Sequence, residues 1–192
     1  MSRSIPQPTA SAATTLAYFQ DHATATKVTA TLQLGASVPL AIWSAIVYHR
    51  LRLLRVSAPG PGIGLAGGII ASASLGLCGL LGWATARSAD LHNAAVTRTM
   101  ADLMFMTGGP GHIVAFGLLL AGVAVPIAMT PVGPRTFGLI GIALAVVAEV
   151  GTLTLLNTNF GVALPIARFG GLLWLVIASI ILSTKRQRAT SP

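Results

Sequence analysis

Charged residues are scarce in this chain of 192 residues, since Asp, Glu, Lys and Arg together make up only 8% of it. A soluble domain carries about a quarter charged residues. The hydrophobic share of 54% and the mean hydropathy of +0.79 are correspondingly high. This scarcity excludes an ordinary soluble domain, and the sequence therefore predicts an integral membrane protein.

Cysteine is nearly absent, because Cys78 stands alone inside an apolar run. A single thiol excludes an intramolecular disulfide, a thiolate metal cluster and a redox pair. The four histidines do not fall at matched depths on facing spans, which disfavours haem ligation by two histidines. No catalytic triad or metalloprotease signature is present. The sequence thus indicates no cofactor and no metal, and it does not favour an enzyme.

The chain also lacks the alternating segments of about ten residues that mark a membrane barrel. Five continuous apolar runs, each about 20 residues long and so long enough to cross a bilayer as a helix, are present instead. The sequence predicts an all-α fold, a polytopic transmembrane helical bundle with five spans, and four spans are the alternative. The predicted spans are residues 29–48, 63–84, 110–129, 137–156 and 165–184.

Three regions are expected along the chain. Residues 1–27 form a mobile N-terminal tail, over residues 1–15, and then a short amphipathic segment at the membrane surface. Residues 28–184 form the bundle, and residues 185–192 form a basic cytoplasmic tail. Within the bundle, residues 85–107 are expected to be a polar connection with a short interfacial helix. A short loop over residues 157–164 makes the fourth and fifth spans an antiparallel hairpin.

The basic residues predict the orientation. Seven lie on one side of the five-span arrangement and five on the other, and the seven are close to helix ends, where they count most. The side with seven is assigned to the cytoplasm, which places the N-terminus outside and the C-terminus inside. These seven residues are Arg50, Arg52, Arg55, Arg135, Lys185, Arg186 and Arg188.

The formal net charge of +8 bears on the partner as well. The basic residues lie at membrane boundaries and no soluble basic domain carries them, so nucleic acid is not an expected partner. Anionic lipid headgroups of the bilayer are expected instead. The predicted location is the cytoplasmic membrane, which the chain crosses several times.

The second predicted span has small residues at every fourth position: Gly64, Gly68, Ser72 and Gly76. This spacing lets two membrane helices approach until their backbones touch. We expect this helix to be the most buried of the five. The stripe can pack within one chain or form the contact of a homo-oligomer, and the first is the more common use.

Glu149 is the only charged residue well inside a predicted span, seven residues from the outer end of the fourth one. This corresponds to a depth of about 10 Å. A carboxylate at that depth is costly unless it is protonated or paired, so we expect it to be sheltered among the helices beside a partner. Arg168, in the first turn of the fifth span, is the expected partner. His112 completes the cluster, and Asp102 lines its outer mouth.

Two interpretations of this cluster remain open. In the first interpretation, the cluster is a binding site for a small polar solute, a proton or a lipid headgroup entering from the outer leaflet. Alternatively, Glu149 and Arg168 form a structural ion pair that sets the helix register.

Several short segments, most of them with glycine, proline or a charged residue, form a recognisable pattern: Gln33–Gly35, Val38–Leu40, Gly67–Gly68, Gly108–Gly111, Pro134–Arg135, Glu149, Leu164–Pro165 and Arg168–Phe169. Together they resemble an uncharacterised family of bacterial multi-span integral membrane proteins of unknown function. The resemblance covers residues 18–184 and implies a location and a fold, but no catalytic role.

Two functional hypotheses follow. The first is a non-enzymatic bundle that binds a protein partner or stabilises an assembly in the cytoplasmic membrane. The second is a small carrier, or a ligand- or lipid-binding membrane protein, with an outer-leaflet polar site around Glu149. The helix-breaking segment Gly108–Gly111 supports the second, because interrupted membrane helices often mark solute sites.

Overall fold

The computed structural model describes residues 6–184, and this part of the chain is helical without any strand. The all-α prediction is confirmed. Short 3₁₀ segments over Gly151–Leu155 and Thr158–Val162 join the last two helices, and a π-helical turn over Thr107–Gly111 joins α4 to α5. The α-helices are α1 (Ala12–Asp21), α2 (Ala23–Leu53), α3 (Gly60–Ala89), α4 (Ala94–Met106), α5 (His112–Met129), α6 (Arg135–Val150) and α7 (Ala163–Thr184).

Five helical segments are long and apolar enough to cross a membrane, as the sequence predicts. Their lengths run from 21 to 36 residues. The chain is therefore a multi-pass membrane protein of the helical class. The five segments are Ala23–Leu53, Gly60–Ala89, Ala94–Met129, Arg135–Leu155 and Thr158–Thr184.

The first two of these helices extend beyond the predicted spans. Helix α2 has 31 residues and includes Lys27, Arg50 and Arg52, and α3 has 30 residues and includes Arg87. A helix of 30 residues is about 45 Å long, whereas the hydrocarbon core is about 30 Å thick. Polar residues mark where a span leaves the hydrocarbon, and the helix continues past that point because its backbone hydrogen bonds remain satisfied.

The third membrane segment differs most from the prediction. Residues 85–107, predicted as a polar connection with a short interfacial helix, form the end of α3 and all of α4, and α4 continues through the π-helical turn into α5. Pro110 therefore lies inside a helix break and does not begin the span. Gly109, with φ −88° and ψ −107°, is the non-helical residue of this break.

The expectation that the second span is the most buried is wrong. In the most apolar 18-residue stretch of Ala94–Met129, 67% of the residues are buried, against 44% for Gly60–Ala89. Small residues let a helix approach its neighbours closely, but burial also depends on how many neighbours surround it.

The N-terminal region contains a helix where a tail was expected to continue to residue 15. Helix α1 begins after Ser11, whose side-chain oxygen accepts a hydrogen bond from the Thr14 N–H at 3.1 Å. Thr15 and Phe19 are buried, and α1 packs against α4. Residues 1–5 and the basic tail over residues 185–192 lie outside the described part of the chain.

The chain divides into two compact units, and α2 and α3 contribute to both. The first unit comprises residues up to 39 together with 72–112. In it, α3 approaches α2 closely, since a Cβ on Gly79 would lie 2.6 Å from the Ala30 carbonyl oxygen. The Ser72 hydroxyl donates a hydrogen bond to the Ser37 carbonyl oxygen. The Arg98 guanidinium in α4 reaches the Ala10 carbonyl oxygen next to α1.

The second unit comprises residues 40–71 and those from 113 onward, and α5 lies in its centre. Large α5 side chains, among them Leu119 and Ile127, are completely covered. Close approaches of α5 pair Gly122 with Gly64 in α3, Gly117 with Ala148 in α6, and Phe116 with Gly171 in α7.

In the same unit, polar side chains of α2 form hydrogen bonds with α7. The Trp43 indole N–H donates a hydrogen bond to the Ser179 hydroxyl at 2.8 Å. The Arg50 Nε–H donates to the Leu182 carbonyl oxygen at 2.9 Å, near the C-terminal end of α7. Such a contact satisfies a carbonyl at a helix end, where intrahelical partners are missing.

Candidate functional site

The Glu149 side chain is exposed near the C-terminal end of α6. The buried face of that helix comprises Gly138, Gly141, Ala145 and Ala148. Glu149 follows Ala148 by one residue, a rotation of about 100° around the helix axis, which places it at the border of the packed face. The sequence placed this carboxylate in a sheltered position, and the structure places it at the surface of the bundle.

No other residue among 6–184 makes a hydrogen bond or an ion pair with the Glu149 carboxylate. Its exposed neighbours on α6 and the following 3₁₀ turn are the apolar Val146, Val150 and Leu153 and one polar residue, Thr152. The carboxylate is thus a single charge in an apolar surface. A charge in such a setting favours a partner of opposite charge, because water is scarce there.

Gly117 provides space for this side chain on α5. A Cβ at Gly117 would lie 3.7 Å from Glu149 Oε1 and only 2.6 Å from the Ala148 Cβ. Both distances show that α5 and α6 pack closely at Gly117. The absence of a side chain at Gly117 therefore lets Ala148 pack inward and leaves the carboxylate over the α5 backbone.

Helices α6 and α7 form the predicted antiparallel hairpin. Ala148 and Ala167 are fully buried and pack in one cluster with Ile113. One turn further out, Gly151 lies beside Leu164, and toward the other end Gly141 lies beside Trp174. These contacts repeat every three to seven residues along α6, as expected for helices packed side by side.

Arg168 follows Ala167 directly, just as Glu149 follows Ala148. The hairpin register therefore brings Glu149 and Arg168 to neighbouring levels of the two helices. Arg168 is half-buried and has an interaction of its own within the structure. The hairpin prediction is confirmed, and a binding role for either residue stays a prediction.

His112 is the first residue of α5, immediately after the helix break, and its side chain is buried. It too has an interaction within the structure. Burial at the start of a helix that follows a non-helical glycine agrees with a polar side chain held by neighbours. Its expected part in a binding site stays a prediction.

Asp102 forms an ion pair within its own helix, and its expected place at the outer mouth of the site stays a prediction. It lies in α4, where both carboxylate oxygens accept hydrogen bonds from the Arg98 Nε–H at 2.9 Å. This pair is spaced four residues apart on one helix, an arrangement that stabilises helices modestly. Since Arg98 also binds the Ala10 carbonyl oxygen, Asp102 helps to hold the chain next to α1.

Thr154 is a residue that sequence analysis missed. Its side chain is 5% exposed, and within residues 6–184 its Oγ1 has no hydrogen-bond partner. The methyl group lies 3.8 Å from the position of a Cβ on Gly161. A single threonine among leucines gives no sequence signal, because most such hydroxyls bond to a carbonyl of their own helix.

The small residues of the α3 stripe contact other helices of the same chain. In the second unit, a Cβ on Gly64 would lie 3.3 Å from the Gly122 Cα, and a Cβ on Gly68 would collide with the Ser44 side chain. In the first unit, Ser72 binds α2 as described above, and Gly76 faces the same helix. These contacts use the stripe for packing within the chain.

Metal binding has no support in the described part of the chain, where no group of three or more His, Cys, Asp and Glu side chains could hold an ion. Glu149 is an exposed carboxylate, which can attract a cation.

No protein-family model, curated protein sequence or solved structure matches this chain.

Proposed function

We propose that this chain is a non-enzymatic, multi-pass protein of the bacterial cytoplasmic membrane that binds a protein partner within the bilayer. The binding surface is the exposed part of α6 around Glu149. The observation that supports this most is an exposed carboxylate in an apolar surface with no partner among residues 6–184. The resemblance to an uncharacterised bacterial membrane family supports the location.

The packing of the α3 stripe also bears on the choice of surface. Since Gly64, Gly68, Ser72 and Gly76 contact helices of their own chain, they leave no groove of small residues for a homo-oligomer. A partner therefore meets another face, and Glu149 distinguishes α6 from the purely apolar faces that lipid covers.

In-cell photo-crosslinking tests this proposal. A photoreactive amino acid replaces Val146, which is 58% exposed on α6, and in a matched control it replaces Leu32, which is 68% exposed on α2. We expect a discrete adduct of defined mass from position 146, absent from position 32 and reduced by Glu149→Gln. Equal adducts from both positions, or no adduct from position 146, would contradict the proposal.

A second function, a small carrier or ligand-binding protein, is favoured by the helix break. Gly109 is non-helical near the middle of a 36-residue apolar segment. Irregular backbone at membrane depth occurs where protein buries it or where it lines a cavity, and interrupted helices often hold solutes or ions.

Proteoliposomes that contain a pH-sensitive dye separate the two functions. For a carrier that uses Glu149, Glu149→Gln abolishes proton flux while the protein stays folded. For a partner-binding bundle, the wild type and the variant both show only the leak of empty vesicles.

A further inference from the structure

The partner's contact group can be inferred from the charge and the depth of Glu149. The carboxylate lies six residues from Leu155, where the helical segment ends, which is about 10 Å. A carboxylate at this depth is costly unless it is neutralised. No residue among 6–184 makes a hydrogen bond or an ion pair with it, so its charge is removed either by a proton or by a cationic group from outside the described part of the chain.

The surroundings of Glu149 limit the kind of molecule that brings this group. Val146 and Val150 precede and follow it along α6, and both are exposed. Apart from Thr152, the exposed side chains next to Glu149 are apolar, which favours a partner within the bilayer over a water-soluble one. A lipid ammonium group lies at the membrane interface, about 10 Å away, whereas a residue of a transmembrane helix can lie at any depth.

A second copy of this chain is a poor source of the cation. Among the basic residues of 6–184, Arg168 is the one at a comparable level of the spans, and it is half-buried with an interaction already made. The others lie near helix ends, as Arg50 and Arg135 do. Within residues 6–184 no basic side chain is thus placed to serve a second copy, and we take the cation to belong to a different protein.

We propose that Glu149 binds a lysine or arginine in a transmembrane helix of the partner, a proposal that rests on the proposed function. The carboxylate pairs with the basic side chain, and the exposed valines of α6 pack against the partner helix. Pairing within the bilayer satisfies two charges that are both costly alone, so each protein is more stable in the complex than by itself.

A designed peptide serves as the probe. The full-length protein, labelled with a donor dye, is placed in phosphatidylcholine vesicles with an acceptor-labelled polyleucine transmembrane peptide. The peptide has one Lys about 10 Å from its end, and matched peptides have Gln or Glu at that position. Energy transfer measures binding.

We expect the wild type to bind the Lys peptide about three- to tenfold more tightly than the Gln peptide, as for interhelical polar contacts in membranes. Glu149→Gln removes this preference, and Glu149→Lys transfers it to the Glu peptide. Asp90→Asn removes an exposed acid that lies outside the α6 surface around Glu149, and this variant keeps the wild-type preference for the Lys peptide. Circular dichroism establishes that each variant is folded.

Three results would overturn the inference. One is equal binding of the Lys and Gln peptides by the wild type. If the cellular adduct from position 146 is still seen in that case, the proposed partner binding is kept and only the basic residue of the partner is ruled out. A second is loss of the Lys preference when phosphatidylethanolamine replaces phosphatidylcholine, which assigns Glu149 to a lipid ammonium. A third is energy transfer between two copies of the protein that depends on Glu149.

Discussion

Two polar side chains near the end of α6 have opposite environments. Glu149 is exposed without a partner among the described residues, and Thr154 is buried without one. A hydroxyl that loses its hydrogen bonds on burial costs about 1–3 kcal/mol. The two residues therefore reduce stability for different reasons, and substitutions distinguish them.

Thr154→Val is expected to stabilise the protein. Valine keeps the shape of the side chain and removes the buried hydroxyl, so the free energy of unfolding should rise by about 1 kcal/mol. Unfolding in mixed micelles, followed by circular dichroism, measures the change.

Thr85→Val is the matched control. Thr85 is buried completely, but its hydroxyl donates a hydrogen bond to the Leu81 carbonyl oxygen at 2.7 Å, so valine should lower stability slightly there. A loss of stability in Thr154→Val would show that the Thr154 hydroxyl has a partner in the folded protein.

The sequence drew attention to Glu149 but did not predict how exposed its side chain is. A lone Glu in an apolar run is conspicuous, and so Glu149 could be singled out. Its position at the border of the packed face depends on where Ala148 meets Gly117 and Ala167, and these contacts join distant parts of the chain. Periodicity along one helix cannot determine them.

Individual helices show how small residues are used. The α3 backbone nearly touches α5 at Gly67, where a Cβ would lie 2.6 Å from the Leu119 nitrogen and 2.8 Å from the Ala115 carbonyl oxygen. Both are backbone atoms and cannot rotate away. A side chain there must separate the helices.

Gly67→Ala is therefore expected to lower the free energy of unfolding by about 1–3 kcal/mol. Gly35→Ala is the matched control in α2, since no atom lies within 4 Å of its added Cβ, and it should be neutral or stabilising by less than about 1 kcal/mol. The same micelle unfolding experiment measures both. Equal destabilisation by the two substitutions would contradict the close packing of α3 and α5.

Helix α1 depends on α4 through Arg98, which binds Asp102 and the Ala10 carbonyl oxygen. Arg98→Ala should accelerate amide hydrogen exchange in α1 about tenfold, since a hydrogen bond to a charged group contributes about 1.5 kcal/mol. Arg87→Ala, which removes an exposed arginine of α3, is the control and should leave α1 protected. Unchanged exchange in Arg98→Ala would assign the attachment of α1 to its buried residues Thr15 and Phe19 and to the hydrogen bond from Gln20 to the Ala89 carbonyl oxygen.

Helix α4 was predicted only in part. A short interfacial helix was expected within residues 85–107, but α4 has Thr97 buried and continues into α5 as one membrane segment. The Thr97 hydroxyl accepts a hydrogen bond from Ser88 at 3.3 Å, so polar side chains here serve packing. Hydropathy finds helices that face lipid, and it misses helices whose polar residues bond to one another.

At the scale of the whole molecule, five membrane segments were predictable because lipid requires long apolar runs. The break at Gly109 was only partly predictable. Glycine and proline mark an interruption, but they do not tell whether a helix starts there or continues beyond it. The orientation of the segments still rests on the distribution of basic residues.

Cysteine labelling tests the orientation. In a Cys78→Ser background, His92→Cys, in the exposed connection after α3, should react with a membrane-impermeant maleimide on intact cells. Ser57→Cys, between α2 and α3, and Ser191→Cys, in the basic tail, should react only after permeabilisation. The reverse pattern would invert the orientation, and opposite sides for Ser57 and Ser191 would remove one span.

The bonds from Trp43 and Arg50 to α7 bear on how the protein assembles during synthesis. The donors leave the ribosome long before their acceptors, Ser179 and Leu182, have been made. Until the last helix enters the bilayer, an indole N–H and a guanidinium of α2 must rely on lipid headgroups, water or an insertion chaperone. The contact between α2 and α7 therefore forms late, after α7 has been inserted. Chains that stop before α7 lack both acceptors and remain substrates for membrane quality control.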